Sequence, residues 1–206
     1  MPAAQGPQEI ADRPVQLGGS RLARAALRLL GWRLQFDGLP ARQGVVVVYP
    51  HTSNWDFVVG VLAKWAAGIP VVFWGKDSLF HVPVLGRWLR SIGGVPVDRR
   101  APGGIVDQTV RRLREARERD EFFWLALAPE GTRSRTAGWR SGFYRVAVDA
   151  GVPLALAHLD FARRSVGVRA CLWLAGDAAA DMAAIARHFE GVQGYRAGLA
   201  SPIRLS

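Results

Sequence analysis

The run Val45-Val46-Val47-Val48-Tyr49, closed by Pro50 and followed by His51-Thr52-Ser53-Asn54-Trp55-Asp56, constrains the fold more than any other stretch of this chain. An unbroken β-branched and aromatic run, with no polar alternation, reads as a strand covered on both faces, the habit of parallel sheets. Thr52, Ser53 and Asn54 all suit the start of a helix. A strand-to-helix turn is therefore expected here. In open α/β sheets, ligands gather beyond the carboxyl ends of the strands. A histidine and an aspartate in such a turn are candidates for a catalytic base and its orienter, because a carboxylate can hold an imidazole in one tautomer and leave the other nitrogen free to accept a proton. Residues five apart do not share a face of a regular helix. His51 and Asp56 meet only if His51 lies before the helix and Asp56 lies in its first turn. A competing reading is local. Ser53-x-x-Asp56 is also a capping-box pattern, in which Asp56 bonds the backbone of Ser53 and His51 is merely a polar turn residue.

The remaining chain repeats the strand-then-helix alternation. Strands are expected over residues 32–36, 70–74, 94–99, 121–128, 152–159 and 167–175. Helices are expected over residues 21–30, 57–65, 84–91, 106–120, 143–150 and 178–190, with Ser20 and Asp177 as N-caps and Gly151 and Gly191 as stops. This pattern predicts a single α/β domain over residues 20–206, with a largely parallel central sheet flanked by helices. Residues 1–19 read as a flexible leader without the apolar stretch of a secretory signal. Residues 58–75 are largely apolar but interrupted by Lys64, Gly68 and Pro70, so they are expected to form a buried helix, a turn and a strand rather than a membrane span. Trp55, Trp65, Trp74, Trp88, Trp124, Trp139 and Trp173 are expected mostly in the core, the alternatives being Trp55 at the border of the acceptor site and Trp88 with Leu89 against lipid.

The formal net charge is +10, and all but Lys64 and Lys76 of the 27 basic residues are arginines. Such an excess favours anionic partners, among them lipid head groups and phosphorylated metabolites. Residues 106–120 mix both signs, which is a solvated helix face and not a nucleic-acid stripe. No nucleic-acid partner is expected. Arg21, Arg24 and Arg28 lie on one side of the first helix, and Leu22, Ala26, Leu29, Leu30 and Trp32 mostly on another. That amphipathic pattern suits either packing on the domain or contact with an anionic membrane surface. The single cysteine, Cys171, excludes an internal disulfide and a cysteine metal cluster, reads as a small core residue, and fits a cytoplasmic setting.

The blocks that follow His51-x-x-x-x-Asp56 carry a resemblance. Gly93-Gly94-Val95-Pro96-Val97-Asp98-Arg99, Ala128-Pro129-Glu130-Gly131-Thr132-Arg133-Ser134 and Gly151-Val152-Pro153-Leu154 occur in the order seen in the 1-acylglycerol-3-phosphate acyltransferase family of glycerolipid acyltransferases, and the chain resembles that family over about residues 42–165. Trp74-Gly75-Lys76-Asp77 resembles its lysine-containing strand end, while Pro96 and Trp55 depart from its usual residues. The resemblance implies that fold and an O-acyltransferase activity with His51 as general base and Asp56 as its orienter. It implies transfer of a fatty acyl group from acyl-CoA or acyl-carrier protein to the hydroxyl of a lysophospholipid, 1-acylglycerol 3-phosphate foremost. No other cofactor, no metal and no acyl-enzyme are implied. Main-chain amides after His51 are plausible donors to the developing oxyanion. Lys76, Arg99, Glu130, Gly131, Thr132 and Arg133 are the implied substrate and phosphate contacts. Arg133 offers a bidentate fork, against a structural ion pair with Glu130; Arg99 and Lys76 can equally be solvated charges. The expected place of work is the inner face of the cell membrane, held peripherally by charge. The alternatives are the same chemistry on a glycolipid or aminolipid, and a non-catalytic module that binds anionic lipid.

Overall fold

A computed structural model describes residues 6–97 and 104–206. In chain order these form β1 (Gln8–Glu9), α1 (Arg21–Leu29), β2 (Arg33–Gln35), β3 (Gln43–Tyr49), α2 (Trp55–Ala67), β4 (Val72–Lys76), α3 (Asp77–Phe80), α4 (Pro83–Ser91), β5 (Gly94–Val97), α5 (Gly104–Glu118), β6 (Phe123–Leu127), α6 (Gly142–Ala150), β7 (Leu154–Asp160), β8 (Ser165–Trp173) and α7 (Ala178–His188). The strands join in one sheet of order β1-β8-β7-β3-β6-β4-β5, with β2 also on β8. The pairs from β7 to β5 are parallel, as the buried valine run predicts; β8 runs antiparallel to β7 and to β1.

β3 lies inside the sheet, between β6 and β7. Its side chains alternate between two cores, as the period of a strand requires. Val45, Val47 and Tyr49 pack with α5, α6 and α7. Val46 and Val48 face the other side, where Ala23 and Leu27 of α1 meet Val59, Ala63 and Ala66 of α2. Gly44 is required by a close approach: a Cβ there would meet the Trp124 ring at 2.4 Å. Gly68 stops α2 at φ 78°, where its N–H returns to the carbonyls of Lys64 and Trp65.

Three expectations are corrected. Residues 6–19 are not a free leader: β1 pairs with the end of β8, Val15 bridges Leu39, and a Cβ on Gly19 would meet the Ala66 carbonyl oxygen at 1.8 Å. The apolar face of α1 is rotated from the one read above. Ala23 and Leu27 are buried on α2, while Leu22 and Leu29 stand out at 84% and 89% exposure. The close packing of α1 and α2 favours small residues, and the Arg24 Nε donates to the Ala66 carbonyl, which fixes the helix rotation. The tryptophans also divide. Trp32, Trp124 and Trp139 are buried, Trp74 is half-buried, and Trp55, Trp65, Trp88 and Trp173 are exposed. Cys171 is buried as expected. No helix among the described residues is long and apolar enough to cross a membrane.

Candidate active site

The register of the sheet brings the first and third sequence blocks together. Val47 of β3 pairs with Leu127 of β6. His51 and Gly131 each lie four residues farther on, at the carboxyl ends of adjacent parallel strands. The His51 Nδ1 is 3.3 Å from the Asp56 Oδ2. The His51 side chain retains 21% exposure and that of Asp56 only 1%. With Nδ1 turned to the carboxylate, Nε2 is the nitrogen left for a substrate.

The capping reading and the catalytic reading meet in one oxygen. Asp56 Oδ2 accepts the N–H of Thr52 at 2.5 Å and of Ser53 at 2.7 Å, as well as facing His51. Half of the capping box is therefore present; the Ser53 hydroxyl accepts from the Trp55 N–H instead. Hydrogen bonds from two amides hold the carboxylate in place against the ring and so fix the ring's orientation. These bonds also correct the oxyanion expectation. The amides of His51, Thr52, Ser53 and Trp55 are all engaged within the structure, which narrows the main-chain donors at this helix start to Asn54 and Asp56 among the described residues.

Glu130 does something other than contact substrate. Its side chain is buried, with Oε1 accepting the His51 N–H at 2.6 Å and Oε2 the Ser201 N–H at 2.8 Å. Burial pushes its carboxyl pKa up, and the two amide donors pull it part of the way back. Its nearby charge and burial also raise the Tyr49 hydroxyl to about 12, against a lowering by Arg135; burial is the larger cause. Glu130 thus clamps the main chain of His51. The sequence signal for this was absent, since His51 and Glu130 are 79 residues apart.

The other expected contacts spread out. Gly131 has φ 68°, and a Cβ there would meet the Arg140 Nε at 2.7 Å, so the close neighbour is a side chain of this chain. The Thr132 hydroxyl accepts from the Ser134 N–H at 3.3 Å. Arg133 is exposed and forms no ion pair among the described residues, so the alternative pairing with Glu130 is not what the structure holds. Lys76 ends β4, exposed, two strands from β3 or roughly 10 Å sideways. Arg99 lies outside the described residues. The sequence marks Thr52 only as a helix-start residue and Ser201 not at all; in the structure the Thr52 hydroxyl accepts from the Arg196 N–H at 3.2 Å and Ser201 bonds Glu130.

An imidazole turned by a buried carboxylate thus stands at the carboxyl rim of a parallel sheet, the place where ligands of such sheets gather. Comparison with known proteins narrows the class. The acyltransferase family model matches residues 33–155, more than half of the sequence, and the chain belongs to that family. A chloroplastic 1-acyl-sn-glycerol-3-phosphate acyltransferase of Brassica napus is 28% identical over 107 residues, 50% of this chain and 30% of that protein. Its counterpart from Arabidopsis thaliana is 25% identical over 124 residues, 59% of this chain and 34% of that protein. The chain thus spans about a third of the length of these relatives. The crystal structure of the 1-acyl-sn-glycerophosphate acyltransferase from Thermotoga maritima shares the fold, with a TM-score of 0.52 at 17% identity over 82% of this chain and 73% of that one.

Proposed function

We propose that this acyltransferase moves a fatty acyl group from acyl-CoA or acyl-carrier protein to the hydroxyl of a lysophospholipid, with 1-acylglycerol 3-phosphate the leading acceptor and phosphatidic acid the product. The observation that carries the reading is the 3.3 Å approach of His51 Nδ1 to a buried Asp56 carboxylate at the end of β3. Asp56 keeps the proton on Nδ1. Nε2 then takes the proton of the acceptor hydroxyl as its oxygen attacks the thioester carbonyl. The tetrahedral intermediate collapses, the C–S bond breaks, and the imidazolium returns the proton to the departing thiolate. The products are an ester and a free thiol. Such a base contributes about 10²–10⁴-fold in rate. The acceptor phosphate pairs with the Arg133 fork, with Lys76 farther along the rim.

The same reading puts the enzyme peripherally on the inner face of the cell membrane. Large exposed apolar side chains collect on the helical layer of α1 to α4: Leu22, Leu29, Trp55, Val58, Val84 and Trp88. Among the described residues, none stands on α5, α6 or α7. Arg21 and Arg28 flank this face on α1, and Arg87 and Arg90 on α4. Apolar side chains edged by arginine suit an anionic lipid interface, at about 1 kcal/mol for each well-placed arginine. An apolar groove of about 580 Å³ lies between α1 and the end of α2, lined by Leu22, Ala26, Leu62 and Trp65. It is roughly a helix length, about 18 Å, from the catalytic turn.

The test is turnover. Protein mixed with acyl-CoA and lysophosphatidic acid is expected to release free CoA and form phosphatidic acid, and His51→Ala to stop both while remaining folded. Full activity in His51→Ala would sink the base assignment. A preference for lysophosphatidic acid over a non-phosphorylated acceptor, lost in Arg133→Ala, checks the phosphate contact. Sedimentation with anionic vesicles, weakened in a Leu22→Asp, Leu29→Asp double variant, checks the lipid face.

A further inference from the structure

The chain beyond α7 lies outside the region matched by the family, yet it is tied to the His51–Asp56 turn through Gly194, Arg196 and Ser201. Gln193 is anchored first: its carbonyl accepts from the Phe161 N–H at 2.8 Å, next to the buried Asp160 that ends β7. The Tyr195 ring stands edge-on to Phe161 at 5.3 Å. Gly194 presses on the turn itself, since a Cβ there would meet the Thr52 Oγ1 at 2.7 Å and the Pro50 Cγ at 3.0 Å. The Arg196 N–H donates to the Thr52 hydroxyl. Five residues later, Ser201 gives its N–H to Glu130, accepts the Tyr49 hydroxyl on its carbonyl at 3.1 Å, and accepts the Thr136 N–H on its own hydroxyl at 3.0 Å. The last residues bond Trp139 from both sides, Trp139 N–H to the Arg204 carbonyl and Ser206 N–H to the Trp139 carbonyl. In sheet order the segment therefore crosses the carboxyl ends of β7, β3 and β6, alongside the base.

We propose that residues 193–206 form a strap that positions the general base: Ser201 acts through Glu130 on the main chain of His51, and Arg196 with Gly194 acts through Thr52 on the residue beside it. Two bonded paths thus converge on a two-residue stretch, one from each side. Thr52 is pinned three ways, by its N–H on Asp56, by its hydroxyl on Arg196 and by the Gly194 contact. The strap holds the turn in register so that Nδ1 stays on Asp56 and Nε2 stays aimed outward. These are positioning residues; none of them touches the reacting atoms. The inference rests on the assignment of His51 as base.

The experiment uses the full chain and reads kcat and KM for acyl transfer from acyl-CoA to lysophosphatidic acid, with histidine NMR of the His51 ring. Thr52→Val removes the hydroxyl that accepts from Arg196 and keeps the shape. It is expected to lower kcat about 10- to 100-fold, as a misplacement near 1 Å does, to leave KM within about twofold and to shift the His51 ring resonances. Thr52→Ser restores the hydroxyl and is expected to restore both kcat and the resonances. Gly194→Val, which forces strap and turn apart, should reproduce the Thr52→Val pattern and decides the matter if Thr52→Val does not fold. Wild-type kcat and unshifted His51 resonances in Thr52→Val and Gly194→Val, alongside an inactive His51→Ala, would overturn the strap and keep the base. An active His51→Ala would remove the base itself, a failure the two strap variants do not produce.

Discussion

His51 and His158 occupy neighbouring strands of one sheet, and their surroundings differ in every respect that matters to an imidazole. Tyr49 of β3 pairs with His158 of β7, so two residues of chain separate His51 from the level of His158. His51 has passed the strand end. It meets an anchored carboxylate on one side and is partly open on the other. His158 is still inside the strand, wholly buried, with Nε2 2.9 Å from the Ser165 hydroxyl. Burial, helped by Arg169, pushes its pKa down to about 4. What separates the two rings is position relative to the sheet edge. Beyond the edge, a helix start supplies the amides that hold a carboxylate; within the sheet, the ring is desolvated and stays neutral.

Breaking this comparison takes exchanged roles. His51→Ala is expected to lose about 10²–10⁴-fold in turnover, whereas His158→Gln keeps kcat within about twofold; the reverse result would relocate the base. The partners should differ in the same way. Asp56→Asn places an amide donor against the Thr52 and Ser53 N–H groups and no longer fixes the tautomer, so kcat should fall about 10²- to 10⁴-fold, while Ser165→Ala leaves kcat unchanged.

A smaller effect separates the two in stability. Because the folded-state pKa of His158 lies below its ordinary value of 6.5, the unfolded chain binds the proton more readily. Stability from this residue is present above pH 6.5 and declines as pH falls from about 6.5 to about 4, by about 3 kcal/mol in all. Chemical denaturation of wild type against His158→Gln over that range should show the decline in the first and a flatter profile in the second. The same slope in both would assign the acid sensitivity elsewhere.

Much of this architecture was legible. The valine run located the interior strand, the Ser20 and Asp177 caps and the Gly151 stop bounded helices, and the first and third blocks located the carboxyl rim. These are local signals, carried by β-branching, side-chain caps and glycine at positive φ, which act within a few residues. The rotation of α1 was not legible. Leu22 and Leu29 look like a core face by period, but the face that packs on α2 carries Ala23 and Leu27, with Arg24 Nε bonded to the Ala66 carbonyl.

At the site, the sequence by itself determined that His51 and Asp56 sit in a strand-to-helix turn, and that Glu130 to Arg133 end another strand. Tertiary structure decided their duties. Glu130, expected at the substrate, is consumed by the amides of His51 and of Ser201, 79 and 71 residues away. Thr52 is bonded to Arg196 across 144 residues. No local preference encodes such pairings. A buried carboxylate or hydroxyl takes whichever donors the fold brings within reach, since leaving it unpaired costs about 1–3 kcal/mol, and which donors those are is known only when the sheet has closed.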